Sequence, residues 1–432
     1  MIVERALTAY LRREFSRIMR LSDFRDLTPP QPQPDKEYLI YIHVPFCETL
    51  CPYCSFHRIE LDTELCRAYF DALRTEIRMY VDRGFRFAAA YIGGGTPTVL
   101  PDEIAALLDD LKRKYLVKEI SLETNPNHLN DEVIGMLKSH GVNRLSVGVQ
   151  TFEDSLLKEM GRFQKYGSGA EIRERITRYR ETFDTLNVDM IFNFPTQTRE
   201  MLHRDLQAIK EIQADQVTFY PLMVSDSTRG RLSDLFGPIS LRKEKLFYQR
   251  ILDGLGDSYT CGTAWCFSRK KSMIDEYIVD YDEYVGAGSG AFGYVNGTVF
   301  SDTFSIRRYI DEVNRGRFPL QALKEFSQKE RVAYDFVMKL FGTSLDVGKA
   351  EAKFQGAFRR NLMNELALFR LIGAVTEENG SIRLTRKGQY IWVVIMREFF
   401  IAVNNFRAAC LAALETSTWA QAQSAEYSAE CR

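Results

Sequence analysis

The sequence predicts an α/β protein: a partly open parallel (β/α)6 barrel with an N-terminal helical extension and a small C-terminal helical, winged-helix-like domain. Three observations predict it. Six short apolar runs alternate with longer amphipathic stretches between residues 39 and 221, the pattern of βα units around a parallel sheet. A Pro-rich break at Pro29, Pro30, Pro32 and Pro34 separates this array from an earlier helical pattern. Beyond residue 326 helical spacing returns, interrupted by a β-like turn around Asn379-Gly380.

In chain order, residues 4 to 21 carry Leu7, Leu11, Phe15, Ile18 and Met19 at helical spacing with basic residues between, so 1–36 reads as a helix and a linker. The strand runs are Leu39–Val44, Ala88–Ile92, Ile120–Glu123, Leu145–Val149, Val188–Phe192 and Val217–Pro221. Helices fall between them at 63–82, 102–115, 131–139, 169–183 and 199–212. Together they make a barrel domain over 37–225, with its active site expected at the carboxyl ends of the strands. From 226 to 325 the pattern loosens into a helix at 241–254, a segment with Trp265 and Cys266, and the Gly-rich run Val285 to Tyr294, read as a barrel-closing segment that meets substrate. Residues 326–415 read as the helical domain, with its wing at Glu377 to Leu384, and 416–432, rich in Ala, Ser, Gln and Glu, as a disordered tail.

A chain of 432 residues, 45% hydrophobic and 27% charged, has ordinary globular composition and room for a large core. Its net charge of −1, with no long single-sign run, argues against nucleic acid as a partner. Cys66, Cys261, Cys266, Cys410 and Cys431 are scattered and fit no disulfide framework. With no signal-like apolar core at the N-terminus, this predicts a reducing, cytoplasmic setting. The apolar stretch Ile391 to Val403 contains Arg397 and Glu398 and is too short to span a bilayer.

The remaining three cysteines carry the chemistry. Cys47, Cys51 and Cys54 are spaced C-x3-C-x2-C directly after the first strand run. Three thiolates on one tight loop suit three irons of a cubane 4Fe–4S cluster, leaving one iron open to another ligand. The alternative is a structural zinc loop, which wants a fourth ligand; His57 is the nearby candidate. Gly93-Gly94-Gly95-Thr96-Pro97 follows the second strand, where absent Cβ atoms let a backbone approach a ligand. Glu123 ends the third strand, Gln150 ends the fourth, and Asp189 lies near the start of the fifth. Each alone reads as a solvated polar residue, but their recurrence in successive strand motifs points to one pocket. Arg162, on the loop after Gln150, suits a bidentate pair with a carboxylate or a surface salt bridge.

The cluster motif, Gly-Gly-Gly-Thr-Pro-Thr, Glu-Thr-Asn-Pro, Gly-Val-Gln-Thr-Phe and Val-Asp-Met-Ile, in this order, resemble the radical S-adenosylmethionine (SAM) superfamily, in its branch around oxygen-independent coproporphyrinogen III oxidase. The resemblance covers roughly residues 38 to 320, with a weaker C-terminal match at Leu384-Thr385-Arg386-Lys387-Gly388. It implies a 4Fe–4S cluster on Cys47, Cys51 and Cys54, with SAM on the open iron and reductive cleavage to methionine and a 5′-deoxyadenosyl radical. It further implies that Tyr41, Gly94 and Glu123 contact this SAM, and that Tyr53, Gly95, Thr96, Gln150, Arg162 and Asp189 contact a second SAM. Gly286, Gly288 and Ser289 resemble a segment closing the same pocket. A flavodoxin- or ferredoxin-type electron donor and a monomeric state are also implied.

Two departures narrow the choice. The oxidase carries another cysteine two residues after its third cluster cysteine, where this chain has Phe56. Haem-chaperone relatives carry His-Asn-x-x-Tyr-Trp before the Gly-rich run, where this chain reads Thr263-Ala264-Trp265-Cys266-Phe267-Ser268-Arg269-Lys270. The retained two-SAM residues therefore favour the class C radical SAM methyltransferases, in which a methylene radical from the second SAM adds to an sp2 carbon and a proton then leaves. Cys266, Cys261 and Tyr220 are the candidates for that last step, with inert buried thiols the other reading for the two cysteines. The expected substrate is flat, aromatic or quinone-type and apolar, a menaquinone ring being the leading case. The alternative is a haem or tetrapyrrole protein of the same branch: an oxidase, a haem-degrading methyltransferase or a haem chaperone. The run Tyr390 to Met396 with Phe399-Phe400-Ile401 suits either a peripheral contact with a membrane or lipid-tailed substrate, or a core helix.

Overall fold

A computed structural model describes residues 2–19, 27–270 and 277–416 of the chain. The helix Ile2–Ile18 leads through the proline segment to β1 (Glu37–Val44), followed by the two-residue strands β2 (Phe46–Cys47) and β3 (Ile59–Glu60), which pair with each other. The next five strands are β4 (Arg86–Gly94), β5 (Glu119–Thr124), β6 (Arg144–Gln150), β7 (Thr185–Phe192) and β8 (Gln216–Pro221). With β1 they form the six expected parallel strands, in the order β1-β4-β5-β6-β7-β8. The helices Thr63–Asp82, Pro101–Asp109, Asp131–Ser139, Gly169–Tyr179 and Arg199–Ile212 connect them.

Period-two alternation explains how these strands build a site. Ile40, Ile42 and Val44 of β1, Ala90 and Ile92 of β4, Ile120 and Leu122 of β5, and Leu145, Val147 and Val149 of β6 all join the main apolar core. So do Leu186, Val188, Met190 and Phe192 of β7 and Val217 and Phe219 of β8. The opposite parity carries most of the polar, aromatic and glycine residues of these strands: Tyr41 and His43, Tyr91 and Gly93, Ser121 and Glu123, Ser146 and Gly148, Asn187 and Asp189, Thr218 and Tyr220. One face thus packs on helices, and the other assembles chemistry.

Asp189 sits in the middle of its strand, not near the start. Thr185 and Asn187 read as loop by hydropathy, yet they continue β7 on the polar face. There Asn187 Nδ2 donates to Ser146 Oγ and to Asp189 Oδ1, both at 2.8 Å, and its Oδ1 accepts from Thr218 Oγ1 at 3.1 Å. Those bonds remove the cost of burying an amide.

The segment after β8 is distributed over both edges of the sheet. Beyond helices Asp226–Phe236 and Leu241–Leu255, the short strands β9 (Thr260–Cys261) and β10 (Cys266–Ser268) add to β8 antiparallel. At the other edge β11 (Tyr284–Ala287) pairs parallel with β1, and β12 (Phe292–Val295), β13 (Thr298–Asp302) and β14 (Leu320–Glu325) continue antiparallel. The Gly-rich run is therefore a seventh parallel strand and its return. A Cβ on Gly286 would lie 2.2 Å from the Phe292 carbonyl oxygen, so only glycine lets the chain fold back this closely.

The C-terminal part contains the helix Gln328–Phe341, the sheet β15 (Ser344–Asp346), β16 (Val375–Glu378) and β17 (Ser381–Leu384), and three short helices. Asn379 and Gly380, with φ of 50° and 75°, turn the β16–β17 hairpin as the Asn-Gly pair predicts. A helix of 31 residues, Arg386–Thr416, then runs back to the mouth of the sheet. Its Tyr390 to Met396 run is buried in the main core. Among the described residues no helix is long and apolar enough to cross a membrane. The expected tail from 417 onward, with Cys431, lies outside the described residues.

Candidate active site

The cysteine loop leaves the carboxyl end of β1. Pairing of β2 with β3 closes it, with Ile59 N donating to Pro45 O at 2.7 Å and Leu61 N to Cys47 O at 2.9 Å. Arg58 Nη2 donates to the carbonyls of Cys51 and Cys54 at 2.5 and 3.2 Å, and Cys54 N to Cys51 O at 3.2 Å. These bonds turn the three thiols toward one cavity of about 190 Å3. Two side chains reach the sulfurs: Arg162 Nη1 lies 3.4 Å from Cys51 Sγ, and Thr96 Oγ1 lies 3.6 Å from Cys47 Sγ. Burial pushes the Cys47 thiol up, so metal ligation must displace its proton.

The donor set fits a cluster better than a zinc ion. His57, the candidate fourth zinc ligand, stacks on His43 and places Nε2 3.1 Å from Ser289 Oγ. Among the described residues no group of three His, Cys, Asp or Glu side chains is placed to hold a single metal ion. Three thiols flanked by two guanidinium groups and a hydroxyl instead suit an anionic iron–sulfur cluster.

Opposite the thiols stand the strand ends. Tyr41, Tyr53, Gly94, Gly95, Glu123, Gln150, Arg162, Asp189 and Tyr220 all line this same cavity. Glu123 Oε2 accepts from Gly94 N at 3.1 Å and Oε1 from the Tyr91 hydroxyl at 2.8 Å. Gly94 holds φ of 116°, and a Cβ on Gly95 would lie 2.5 Å from the Phe46 carbonyl oxygen, so the glycines press this edge against the cysteine loop. Asp189 accepts from Ser146 Oγ at 2.7 Å. Gln150, with φ of 78°, sits at a register shift between β6 and β7, a strained backbone position held at the cavity wall. Arg162 is buried: it donates to the Gly148 carbonyl and to Asn125 Oδ1 at 3.2 Å, and stacks 4.2 Å from the Tyr166 ring centroid.

Burial, reinforced by the Asp189 charge, pushes the Glu123 carboxyl up to about 7 against the pull of Tyr91, Gly94 and Arg144. A carboxyl raised in the fold contributes stability that is full below its ordinary value near 4.5 and is lost as pH rises through about 7. Glu123→Gln is therefore expected to match the wild type near pH 4.5 and to exceed its stability at pH 8, by at most about 3 kcal/mol. Urea unfolding of the metal-free chain at both pH values checks this; equal stability at pH 8 contradicts it.

Three expected positions lie elsewhere. Thr96 does not line the cavity: it is buried between Cys47 Sγ and Asn125 Nδ2, from which it accepts at 2.8 Å. Gly286 pairs with Tyr41 across β1–β11, and Gly288 donates its N–H to Glu76 at 2.8 Å, so both support β1 from behind. Of the candidates for proton removal, only Tyr220 reaches the cavity. Cys266 is fully buried on β10 opposite Thr218, and Cys261 lies on the edge strand beside Gln389 and Arg386. Neither thiol lines the cavity.

A model of the radical SAM superfamily matches residues 41–209, which begins in β1 and takes in the whole thiol loop and all of its facing strand ends up to Asp189. The chain carries a radical SAM domain. Heme chaperone HemW of Bacillus subtilis is 29% identical over 340 residues, 74% of this chain and 87% of its own length. Anaerobilin synthase of Escherichia coli O157:H7 is 26% identical over 312 residues, 68% and 69% of the two chains. Oxygen-independent coproporphyrinogen III oxidase of Bradyrhizobium diazoefficiens is 31% identical over 167 residues, 37% of each. The radical SAM fold extends beyond the matched domain: coproporphyrinogen III oxidase (HemN) from Escherichia coli superposes with a TM-score of 0.71 at 21% identity, over 90% of this chain and 93% of that one.

A second cavity, of about 210 Å3, shares Tyr41 and Phe56 with the first. Its walls include Phe15 and Ile18 of the N-terminal helix with Met19 just after it, Phe292 and Phe304 near the β11–β13 edge, Val337 and Met338 of the helix Gln328–Phe341, and Phe399, Phe400 and Val403 of the last helix. Phe56 is 50% exposed, and both cavities border it. The Tyr41 hydroxyl lies 2.8 Å from His43 Nδ1, and His43 Nε2 lies 2.9 Å from the His57 carbonyl. Nε2 therefore carries the hydrogen and Nδ1 accepts from Tyr41. Burial holds His43 down at about 4, so the ring is neutral.

Sequence reasoning missed Tyr91, Arg58 and the second chamber as an enclosure, although it singled out Tyr41 and the Phe399-Phe400 pair that line it. Tyr91 had a signal, since it alternates with Gly93 on β4. The meeting of the chamber walls had none, because they come from both ends of the chain.

Proposed function

We propose that this radical SAM enzyme acts on a flat, conjugated, largely apolar substrate, with a tetrapyrrole as the favoured class. The observation that carries the reading is the aromatic chamber bordering the thiol cavity at Tyr41 and Phe56. Relatives named for haem and for coproporphyrinogen III support the tetrapyrrole class. Cys47, Cys51 and Cys54 would hold a 4Fe–4S cluster, which in this superfamily supplies the electron that cleaves SAM to a 5′-deoxyadenosyl radical. Around it, Glu123, held in place by the Gly94 N–H, would present its carboxylate to the amino group of SAM, and Arg162 offsets thiolate charge at Cys51. The aromatic walls exclude water from the reacting ring, and Tyr41 stands at the junction. A flavodoxin- or ferredoxin-type protein would supply the electron.

A second reading is class C methyl transfer, using two SAM molecules, to an aromatic or quinone-type carbon such as a menaquinone ring. It is favoured by one observation: Tyr53, Gln150, Arg162 and Asp189 line the cavity that also holds the thiols. Phe56 at the position of the oxidase's extra cysteine weighs against decarboxylation, and the missing histidine before Cys266 against haem trafficking.

Anaerobic reconstitution with SAM and dithionite, with haem, coproporphyrinogen III or menaquinone offered in parallel, tests both readings. Substrate-stimulated 5′-deoxyadenosine with a tetrapyrrole is the expected result. With methyl-deuterated SAM, deuterium in the 5′-deoxyadenosine together with S-adenosylhomocysteine marks methyl transfer. Formation of no 5′-deoxyadenosine sinks every enzymatic reading.

A further inference from the structure

The second chamber is largely apolar, but its wall carries several polar side chains. Most are already engaged: Tyr41 with His43, His43 with the His57 carbonyl, His57 with Ser289, Asn404 Nδ2 with Ser55 Oγ at 3.1 Å, and Glu330 with Lys324 Nζ and the Ser327 hydroxyl, both at 2.9 Å. Arg407, on the last helix, is the exception. Its Nη1 donates to the Ser55 carbonyl, and among the described residues no carboxylate pairs with it. The rest of its guanidinium fork stays available on the chamber wall, beside Phe400, Val403 and Phe56. A half-buried guanidinium in an apolar cavity gains most from a ligand oxygen, which it can hold with two parallel hydrogen bonds.

We infer that Arg407 anchors an oxygen substituent of the ring substrate, a carboxylate or a ring carbonyl, and so orients the ring toward the Tyr41–Phe56 junction. This rests on the ring-substrate reading above. The fork also selects: a wholly hydrocarbon ring leaves Arg407 desolvated without a partner, which costs binding. The contact with Ser55, directly after Cys54, further ties the anchor to the cluster loop.

The test is anaerobic binding to the cluster-loaded chain, followed by protein fluorescence quenching, with coproporphyrin III, its tetramethyl ester and 1,4-naphthoquinone as probes. The wild type is expected to bind the free acid over the ester if the anchor takes a carboxylate, or the naphthoquinone if it takes a ring carbonyl. Arg407→Met should weaken the preferred probe by about tenfold or more, the worth of a charged hydrogen bond, and Arg407→Lys by less. Iron content and substrate-free SAM cleavage should stay near wild type in both variants. Wild-type binding with unchanged affinity in Arg407→Met overturns the anchor and leaves the ring-substrate reading standing. Loss of iron from Arg407→Met overturns it in favour of a purely structural latch. Failure of the wild type to bind any probe overturns the ring-substrate reading, and the anchor with it.

Discussion

Cys47→Ala is expected to lose its iron and to drop 5′-deoxyadenosine formation to background, a fall of about a thousandfold or more. The reason is the donor count. The loop supplies three thiols to one cavity, and among the described residues no histidine or further cysteine stands ready to replace one, since His57 faces Ser289 and Cys66 lies in the helix Thr63–Asp82. Cys47 is also the thiol most firmly placed. It is 8% exposed, its residue pairs with Glu60 across β2–β3, and Thr96 approaches its sulfur. Those backbone bonds survive truncation to alanine, so the metal-free fold should change little while the cluster is lost. Iron and sulfide analysis, cluster absorbance and a thermal melt separate the two effects. Cys66→Ala is the control, because burial holds that thiol up at about 12 and it does not line this cavity. Retained iron and SAM cleavage in Cys47→Ala would mean that another side chain completes the set.

Arg162→Met is the second large effect, and it should appear in two measurements at once. The guanidinium joins the end of β6, through the Gly148 carbonyl, to Asn125 after β5 and to the sulfur of Cys51. Methionine matches its bulk and removes every one of these bonds. Leaving the Gly148 carbonyl and the Asn125 amide oxygen without their donor should cost about 3 kcal/mol of stability. The lost positive charge beside a thiolate should also lower the reduction potential of the cluster, because the reduced form carries more negative charge. Arg162→Lys should recover part of the potential and little of the stability, since a single ammonium cannot span the three partners. Denaturant unfolding and a redox titration followed by electron paramagnetic resonance read the two effects. An unchanged potential in Arg162→Met would place the arginine outside the electrostatic environment of the cluster.

Legibility in the sequence followed the range of the interactions. The six parallel strands and their helices could be read because each is a local pattern, an apolar run or an amphipathic stretch bounded by its own turn residues. Most of the cavity could be read for the same reason. Parallel strands all end at one side of the sheet, so residues at strand ends converge without any knowledge of packing. Asp189 was misplaced within its strand because Thr185 and Asn187 are polar, and only cross-strand hydrogen bonds to Ser146 and Thr218 show that they belong to β7. The Gly-rich run was legible as special but not as a strand, since the four residues of β11, one of them glycine, are too few to show an apolar period. Cys266 is close in sequence to the strand ending at Tyr220, but antiparallel pairing of β10 places it opposite Thr218, in the body of the sheet and away from the mouth.

The sequence by itself determined the thiol loop, the strand-end residues facing it and the radical SAM character they imply, because these are set by spacing along single elements and by the common direction of parallel strands. Only the tertiary structure decided the second chamber. Phe15, Phe56, Phe304, Phe400 and Arg407 meet there because a helix at the start of the chain and a helix near its end cross over one sheet edge, with Phe15 and Phe399 in edge contact at 5.6 Å. Such a meeting depends on helix crossing and side-chain packing between elements hundreds of residues apart, and no local period encodes it.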